Sequence, residues 1–453
     1  MAPAEDAGRP SARSAERRNV VRLAASALGV LAAEPLYLLV DTAVVGHLGK
    51  IPLAGLAVGA VVLAQVSTQL TFLSYGTTAS AARLFGAGRR PEAIGEGVQA
   101  SYLAVAVGLL LSGVGELIAA PVTRLIAGPG PVADAALSWL RIALLGAPFI
   151  LITMAGNGWM RGVRDTRRPL CYVLAGNGLS VVLLPVLVFG AGLGLRGSAV
   201  ANATAQLVSA ALFVRALLAE RRAGTAGRVS LRPRPSLLRR QLGVGRDLVL
   251  RSLAFQACFL SATVVAARTS VAAVSAHQIV FQLWTFLQLV LDSLAIAAQA
   301  LVGAALGGGD VDGARRIGWR ITGYGWALGM VTGALVAALY PVLPGLFTTN
   351  SQVLAEIPHA WWFFVLLQPV AGVVFALDGV LLGASDVRYL RTTTLAAAVL
   401  GFLPLVWAAF VFRWGLVGIW SGLMAFMIIR LAAVLIRAGS GRWAVAGHRT
   451  GTG

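Results

Sequence analysis

Twelve apolar runs divide this chain, at roughly 24–46, 53–83, 93–120, 134–160, 169–190, 197–219, 246–267, 271–305, 315–347, 358–383, 391–411 and 415–437. A run of about 18 residues with few charges is long enough to cross a bilayer as a helix. In lipid every backbone polar group must be satisfied inside the segment, which leaves only helices and closed barrels. Barrel strands alternate apolar and polar residues, and these runs do not. The chain is therefore read as an all-α polytopic membrane protein with twelve transmembrane helices. With 58% hydrophobic and 12% charged residues among 453, little remains between the runs for a soluble catalytic domain.

The formal net charge of +19, nearly all from Arg, follows the loops. With the N-terminus inside, the inner loops collect Arg9 to Arg22, Arg89 and Arg90, Arg161 to Arg168, Arg221 to Arg246, Arg315, Arg316 and Arg320, Arg388 and Arg391, and Arg437 and Arg442. The outer side holds Lys50, Arg124, Arg141, Arg196, Arg268 and Arg413. This bias predicts a multi-pass protein of the cytoplasmic (inner) membrane with both termini in the cytoplasm. The expected divisions are a cytoplasmic tail 1–22, a first lobe 23–220, a basic linker 221–245, a second lobe 246–438 and a tail 439–453. The basic linker suits membrane lipid headgroups. It lacks the aromatic interleaving of a nucleic-acid module, so no nucleic-acid partner is expected. Cys171 and Cys258 lie in separate apolar runs with no metal or disulfide spacing.

The halves repeat. NGWMRGVRDTR (157–167) aligns with DGVLLGASDVR (378–388), and GLRGSAVA (194–201) with GLVGIWSG (415–422), both at an offset of 221 residues. LAGLAVGA (53–60) resembles VAAVSAHQ (271–278) at an offset of 218. Each half holds an even number of spans, so the repeats share one orientation and are related by an axis along the membrane normal. Two pseudo-symmetric six-helix lobes around a central cavity follow.

Function is sought in the polar residues that such runs exclude. A carboxylate at the centre of a membrane helix costs about 2.5–3.5 kcal/mol and marks an ion or substrate path by default. The first run carries Glu34 and Asp41, nearly two helical turns apart and so close to one face, with Pro35 expected to kink the helix beside them. Asp292 and Asp378 lie in runs eight and ten, and Asp378 takes the place that Asn157 holds in the first half. Either structural pairing or ion and substrate binding fits these two. Asn157, Asn177, Ser180, Gln256 and Gln69 are further cavity candidates, while other amides in the runs suit interhelical hydrogen bonds. His277 is expected to make a structural hydrogen bond, and Trp361 with Trp362 to belong to an interfacial belt. Asp165 and Asp386 sit among Arg residues at inner helix ends, as loop salt bridges or caps. GLGLRG (192–197) formally matches a dinucleotide fingerprint, but it joins two spans without a βαβ unit. No GxxxxGK[ST] or HExxH pattern occurs. Ion-gradient coupling is left as the energy source.

VDTAVVGHLG (40–49), MRGVRDTRRP (160–169), AHQ (276–278), DSLAIAAQALVGAALG (292–307) and LDGVLLGASDVR (377–388) together resemble the multidrug and toxic compound extrusion (MATE) transporters, in the DinF-type branch. The resemblance implies an antiporter that exports an amphipathic, often cationic, organic compound in exchange for H⁺ or Na⁺, with no other cofactor. It matches Asp41 to the first-helix acid that takes the coupling proton, and Asp378 to a tenth-helix acid implicated in several branches. This chain departs at helix five, where Asn177 and Ser180 are followed by Leu184 in place of the family's Asp, and at helix seven, where Phe255 or Gln256 replaces a Glu. Glu34 stands where the branch usually has an apolar residue. Either it pairs with Asp41 in place of the missing acid, or it bonds a polar group on a neighbouring helix. A monomeric, non-enzymatic exporter with a small amphipathic substrate is the expectation. The alternative is a flippase for a lipid-linked precursor, which would call for a cationic cavity.

Overall fold

The computed structural model describes residues 12–222 and 231–447. Among them every regular element is a helix, and the helices group into twelve spans when one bent pair is counted as a single crossing. In order these are span 1 (Arg17–Gly46), 2 (Lys50–Gly86), 3 (Arg90–Ala127), 4 (Pro131–Leu145 with Ala147–Gly162), 5 (Arg167–Gly190), 6 (Leu195–Arg222), 7 (Pro235–Thr269), 8 (Val271–Gly307), 9 (Val311–Ala338), 10 (Ser351–Gly383), 11 (Val387–Val411) and 12 (Gly415–Gly439). Span 4 bends by 48° at Gly146, where Pro148 follows and denies the next turn a backbone donor. Span 2 is interrupted at Leu70 and Thr71, between Lys50–Gln69 and Phe72–Gly86. Pro35 lies within one continuous helix, Ala12–Gly46.

Several helices run past the apolar runs that announced them. Span 1 is helical from Ala12, inside the expected tail, whose residues 1–11 lie outside the described residues. Span 7 is helical from Pro235, inside the expected linker, because proline is well suited to open a helix and the charged residues after it tolerate a solvated turn. The stretch before it is fastened to span 3, with Gln99 Nε2 donating to the Arg232 carbonyl at 3.0 Å and Tyr102 Oη to that of Leu231 at 2.6 Å, and Arg240, within span 7, pairs with Glu96. Residues 223–230 and 448–453 lie outside the described residues.

The sequence repeat reappears in the backbone at four pairs of positions. Left-handed φ values occur at Gly88 and Gly309, at Arg164 and Ser385, at Gly192 and Arg413, and at Gly194 and Gly415. Each pair is separated by the repeat offset found in the sequence. Arg164, Ser385 and Arg413 adopt φ of 62°, 60° and 57°, a conformation that side chains normally avoid. The turns are closed alike, with Asp165 N donating to the Met160 carbonyl and Asp386 N to that of Leu381, both at 2.9 Å.

The lobes meet where span 2 crosses span 8, at the end of the bundle that carries the Arg-rich loops. A Cβ at Gly86 would lie 1.9 Å from the Ala304 carbonyl oxygen, and one at Gly307 would lie 1.9 Å from that of Arg83. Gly86 and Gly307 are themselves repeat partners, so the pseudo-axis runs through a backbone-to-backbone contact that only glycine permits. Arg83, buried at 1% exposure, donates across this contact to the carbonyls of Ala384 at 2.9 Å and Gly447 at 2.8 Å. The bundle is therefore shut at this end.

Trp361, expected in an interfacial belt, is fully buried against Tyr340 and Phe364, and only Trp362 faces outward. Two adjacent residues on a helix point about 100° apart, so one of the two has to turn inward.

Candidate functional site

A cavity of about 340 Å³ opens inside the first lobe, walled by spans 1, 2, 4, 5 and 6, with Ile296 contributed by span 8. The bend in span 4 and the break in span 2 both lie beside it, near Ile150 and at Thr71. Its apolar wall includes Leu31, Leu38, Leu63, Trp139 and Ile150, and its polar groups include Thr68, Thr153, Asn157, Asn177, Asn202 and Gln206. Two charged side chains line it, Glu34 from span 1 and Arg161 from span 4. Glu34 is exposed to this space. Asn157 and Arg161 are each only 7% exposed.

Asp41 lies on the same face of span 1 as Glu34 but is sealed from solvent, at 0% exposure. Tyr37, between the two acids along the helix, feels both, and Ser180, Ser198 and Asn202 from spans 5 and 6 gather round the pair Tyr37 and Asp41. Neither Asp41 oxygen makes a hydrogen bond among the described residues. The Ser198 hydroxyl already accepts from Trp139 Nε1 at 3.1 Å. Leu184, the residue at the expected Asp position, is fully buried in a small apolar cluster against which Val40, next to Asp41, and Val44, about one turn on, pack. So the departure in span 5 removes polarity from the immediate surroundings of Asp41 and adds none.

The second lobe handles its acids differently. Asp378 accepts from Arg251 of span 7 at 2.5 Å and from Arg430 of span 12, with Phe255 stacked under both guanidinium groups. It stands outside the cavity. Asp292 accepts from the Tyr75 hydroxyl of span 2 at 2.6 Å, and Gln299 Nε2 donates to the Tyr75 carbonyl at 2.6 Å, so the two lobes are tied through Tyr75. Gln256 Nε2 donates to Gln65 Oε1 at 2.7 Å, a further bond between lobes. Of the sequence candidates, Glu34, Asn157 and Asn177 line the cavity, whereas Asp292, Asp378, Ser180, Gln256 and Gln69 do not. His277 is buried, with Nε2 3.4 Å from Thr263 Oγ1. Asp165 pairs with Arg168 at 3.2 Å and Asp386 with Arg437 at 2.6 Å. Among the described residues no group of three His, Cys, Asp or Glu forms a metal site.

The acid-centred reading of the sequence does not find Arg161, Arg251 or Arg430. The latter two lie well inside apolar runs, where the energetic argument applied to the acids applies equally. Arg161 is counted with the loop, but the helix continues to Gly162 and turns its side chain inward.

The family model described as MatE matches residues 27–186 and again residues 248–407. The chain belongs to the MATE family. Its two matched halves start at positions related by the repeat offset, as one lobe per match requires. Among relatives of this MATE transporter, DNA damage-inducible protein F of Escherichia coli (strain K12) is 31% identical over 421 residues, covering 88% of this chain and 88% of that protein. Protein DETOXIFICATION 44, chloroplastic, of Arabidopsis thaliana is 32% identical over 447 residues, covering 94% and 83%. These place the MATE chain in the DinF-type branch. A solved MATE structure in an outward-facing conformation superposes with a TM-score of 0.83 at 21% identity, covering 94% of this chain and 97% of that one.

Proposed function

We propose that this MATE transporter exports amphipathic organic compounds across the cytoplasmic membrane in exchange for protons, with Asp41 as the proton carrier. The observation that carries the reading is the contrast between two buried acids. The charge of Asp378 is met permanently by Arg251 and Arg430, whereas Asp41 has no charged partner among the described residues and only neutral groups round it. A mobile cation is the partner it can take. Asp41 is fully buried outside the 340 Å³ cavity, and a Na⁺ ion would need a cage of several oxygen ligands, so the proton is favoured over Na⁺.

With the Arg-rich loops in the cytoplasm, the glycine crossing at Gly86 and Gly307 closes the path on the cytoplasmic side, and the conformation is the one from which substrate leaves. Glu34 then serves in the cavity, receiving substrate, and communicates with Asp41 through Tyr37. Protonation of Asp41 would remove a charge behind the cavity wall and change the packing of Tyr37, Ser180 and Asn202. It drives export only if the two conformations bind the proton with different affinity. The membrane potential adds about 2.3 kcal/mol per charge per 100 mV. One chain contains both lobes, so a monomer suffices.

The test is efflux of rhodamine 123 from reconstituted vesicles under an imposed pH gradient. Wild type and Asp378→Asn should both pump, the latter if it folds. Asp41→Asn should abolish pumping and Glu34→Gln should reduce it. Pumping by Asp41→Asn at the wild-type rate would remove Asp41 from the mechanism. A wild type that moves lipid-linked phosphate and not the dye would favour the flippase alternative, to which Arg161 in the cavity lends its one point of support.

A further inference from the structure

Among the described residues Arg161 is a buried cation with no carboxylate in contact. Its side chain is more than nine-tenths buried, it lines the cavity, and its one hydrogen bond among the described residues is a long contact of 3.5 Å from Nη1 to Ser74 Oγ. Among the described residues no carboxylate oxygen lies within 4.0 Å of its guanidinium. Asp292 acts on it from beyond that distance and is itself engaged by the Tyr75 hydroxyl at 2.6 Å. The contrast with the second lobe is sharp: Arg251 and Arg430 share Asp378, Arg391 holds Asp247 at 2.7 Å, and Arg437 holds Asp386. A guanidinium carries five N–H donors in a planar fork that matches a carboxylate two bonds at a time. Burying it with one marginal acceptor is costly unless an anion completes it.

We infer that Arg161 is the anion subsite of the transport cavity and that the substrate carries a carboxylate or a like anionic group. Glu34 supplies the opposite charge from span 1 in the same cavity, and the apolar wall of Leu31, Leu63 and Ile150 lies within it. The class of compound that matches this arrangement is a zwitterionic amphiphile, with its anion on Arg161 and its cation toward Glu34. A purely cationic amphiphile would satisfy Glu34 and leave Arg161 bare. The inference deepens the export reading and rests on it.

Rhodamine 110 and rhodamine 123 test it, because they differ only in a free carboxylate against its methyl ester. Binding of each to the purified wild-type protein is followed by fluorescence anisotropy. A charge-assisted pair in a shielded site is worth about 10- to 100-fold in affinity, so rhodamine 110 should bind wild type at least tenfold tighter than rhodamine 123. Arg161→Gln should erase that preference by weakening rhodamine 110 alone, and Arg161→Lys should restore part of it. Equal binding of both dyes to wild type, a comparison that needs no variant to fold, would overturn the assignment. So would an Arg161→Gln protein that weakens both dyes alike. Rhodamine 123 bound and exported as well as rhodamine 110 overturns the subsite and leaves the export reading standing. A wild type that binds neither dye overturns both.

Discussion

The contact between Gly86 and Gly307 makes a quantitative prediction about the balance between conformations. A nonbonded carbon settles at about 3.5 Å from its neighbours. A methyl group at Gly86 would meet the Ala304 carbonyl oxygen at 1.9 Å, and there is no flexible side chain to yield. In Gly86→Ala the crossing of spans 2 and 8 must therefore open by about 1.5 Å at this point, or the lobes must part. Overpacking of this kind costs about 1–3 kcal/mol. That penalty falls on the closed arrangement, where the two backbones touch, and shifts its equilibrium with any arrangement that separates them by roughly 5- to 140-fold. Spin labels on Arg89→Cys and Asp312→Cys, both exposed at the Arg-rich end, report the separation of the lobes once Cys171 and Cys258 are replaced by Ser. The parent should give one short distance. Gly86→Ala and Gly307→Ala should each add a longer component, and the double variant should add little beyond either single one, because a crossing already opened has room for the second methyl. An unchanged distribution in both single variants would refute the reasoning.

Two further outcomes follow from the charge pairs. Asp378→Asn strands Arg251 and Arg430 in the second lobe and should lower stability by about 3–5 kcal/mol, read as a fall in the Tm of the detergent-purified protein; Asp165→Asn, which breaks a partly exposed pair, should stay within about 1 kcal/mol of wild type. Tyr75→Phe removes the bond to Asp292 that ties the lobes and should weaken the closed arrangement by about 1–3 kcal/mol, visible with the same spin-label pair as a partial shift to longer distance.

The fold was open to sequence reasoning because each of its rules acts along the chain. Apolar runs set the spans, Arg in alternate loops set a common face, and repeated strings such as NGWMRGVRDTR and DGVLLGASDVR set the lobes. The repeat extends to the backbone, since Arg164 and Ser385 occupy equivalent turns with φ of 62° and 60°. What the chain does not display is which face of a helix meets which neighbour. Glu34 and Asp41 share a face, yet one opens to the cavity and the other is sealed behind Tyr37 by spans 5 and 6. Asp378 reads in sequence as a lone intramembrane acid and finds two arginines from spans more than fifty residues away in either direction. Arg161 reads as a loop charge because the residues after it are Arg-rich, whereas the last turn of span 4 carries it inward. Long-range pairing decides all three, and no local pattern encodes it.

The central claim is that Asp41 exchanges its proton for substrate. Purified protein in weakly buffered detergent solution, titrated with rhodamine 110 while pH is recorded, tests it without a membrane or a gradient. Wild type should release protons as the dye binds, and Asp41→Asn should bind the dye and release none. Release of the same number of protons by Asp41→Asn would contradict the account and move the coupling site elsewhere.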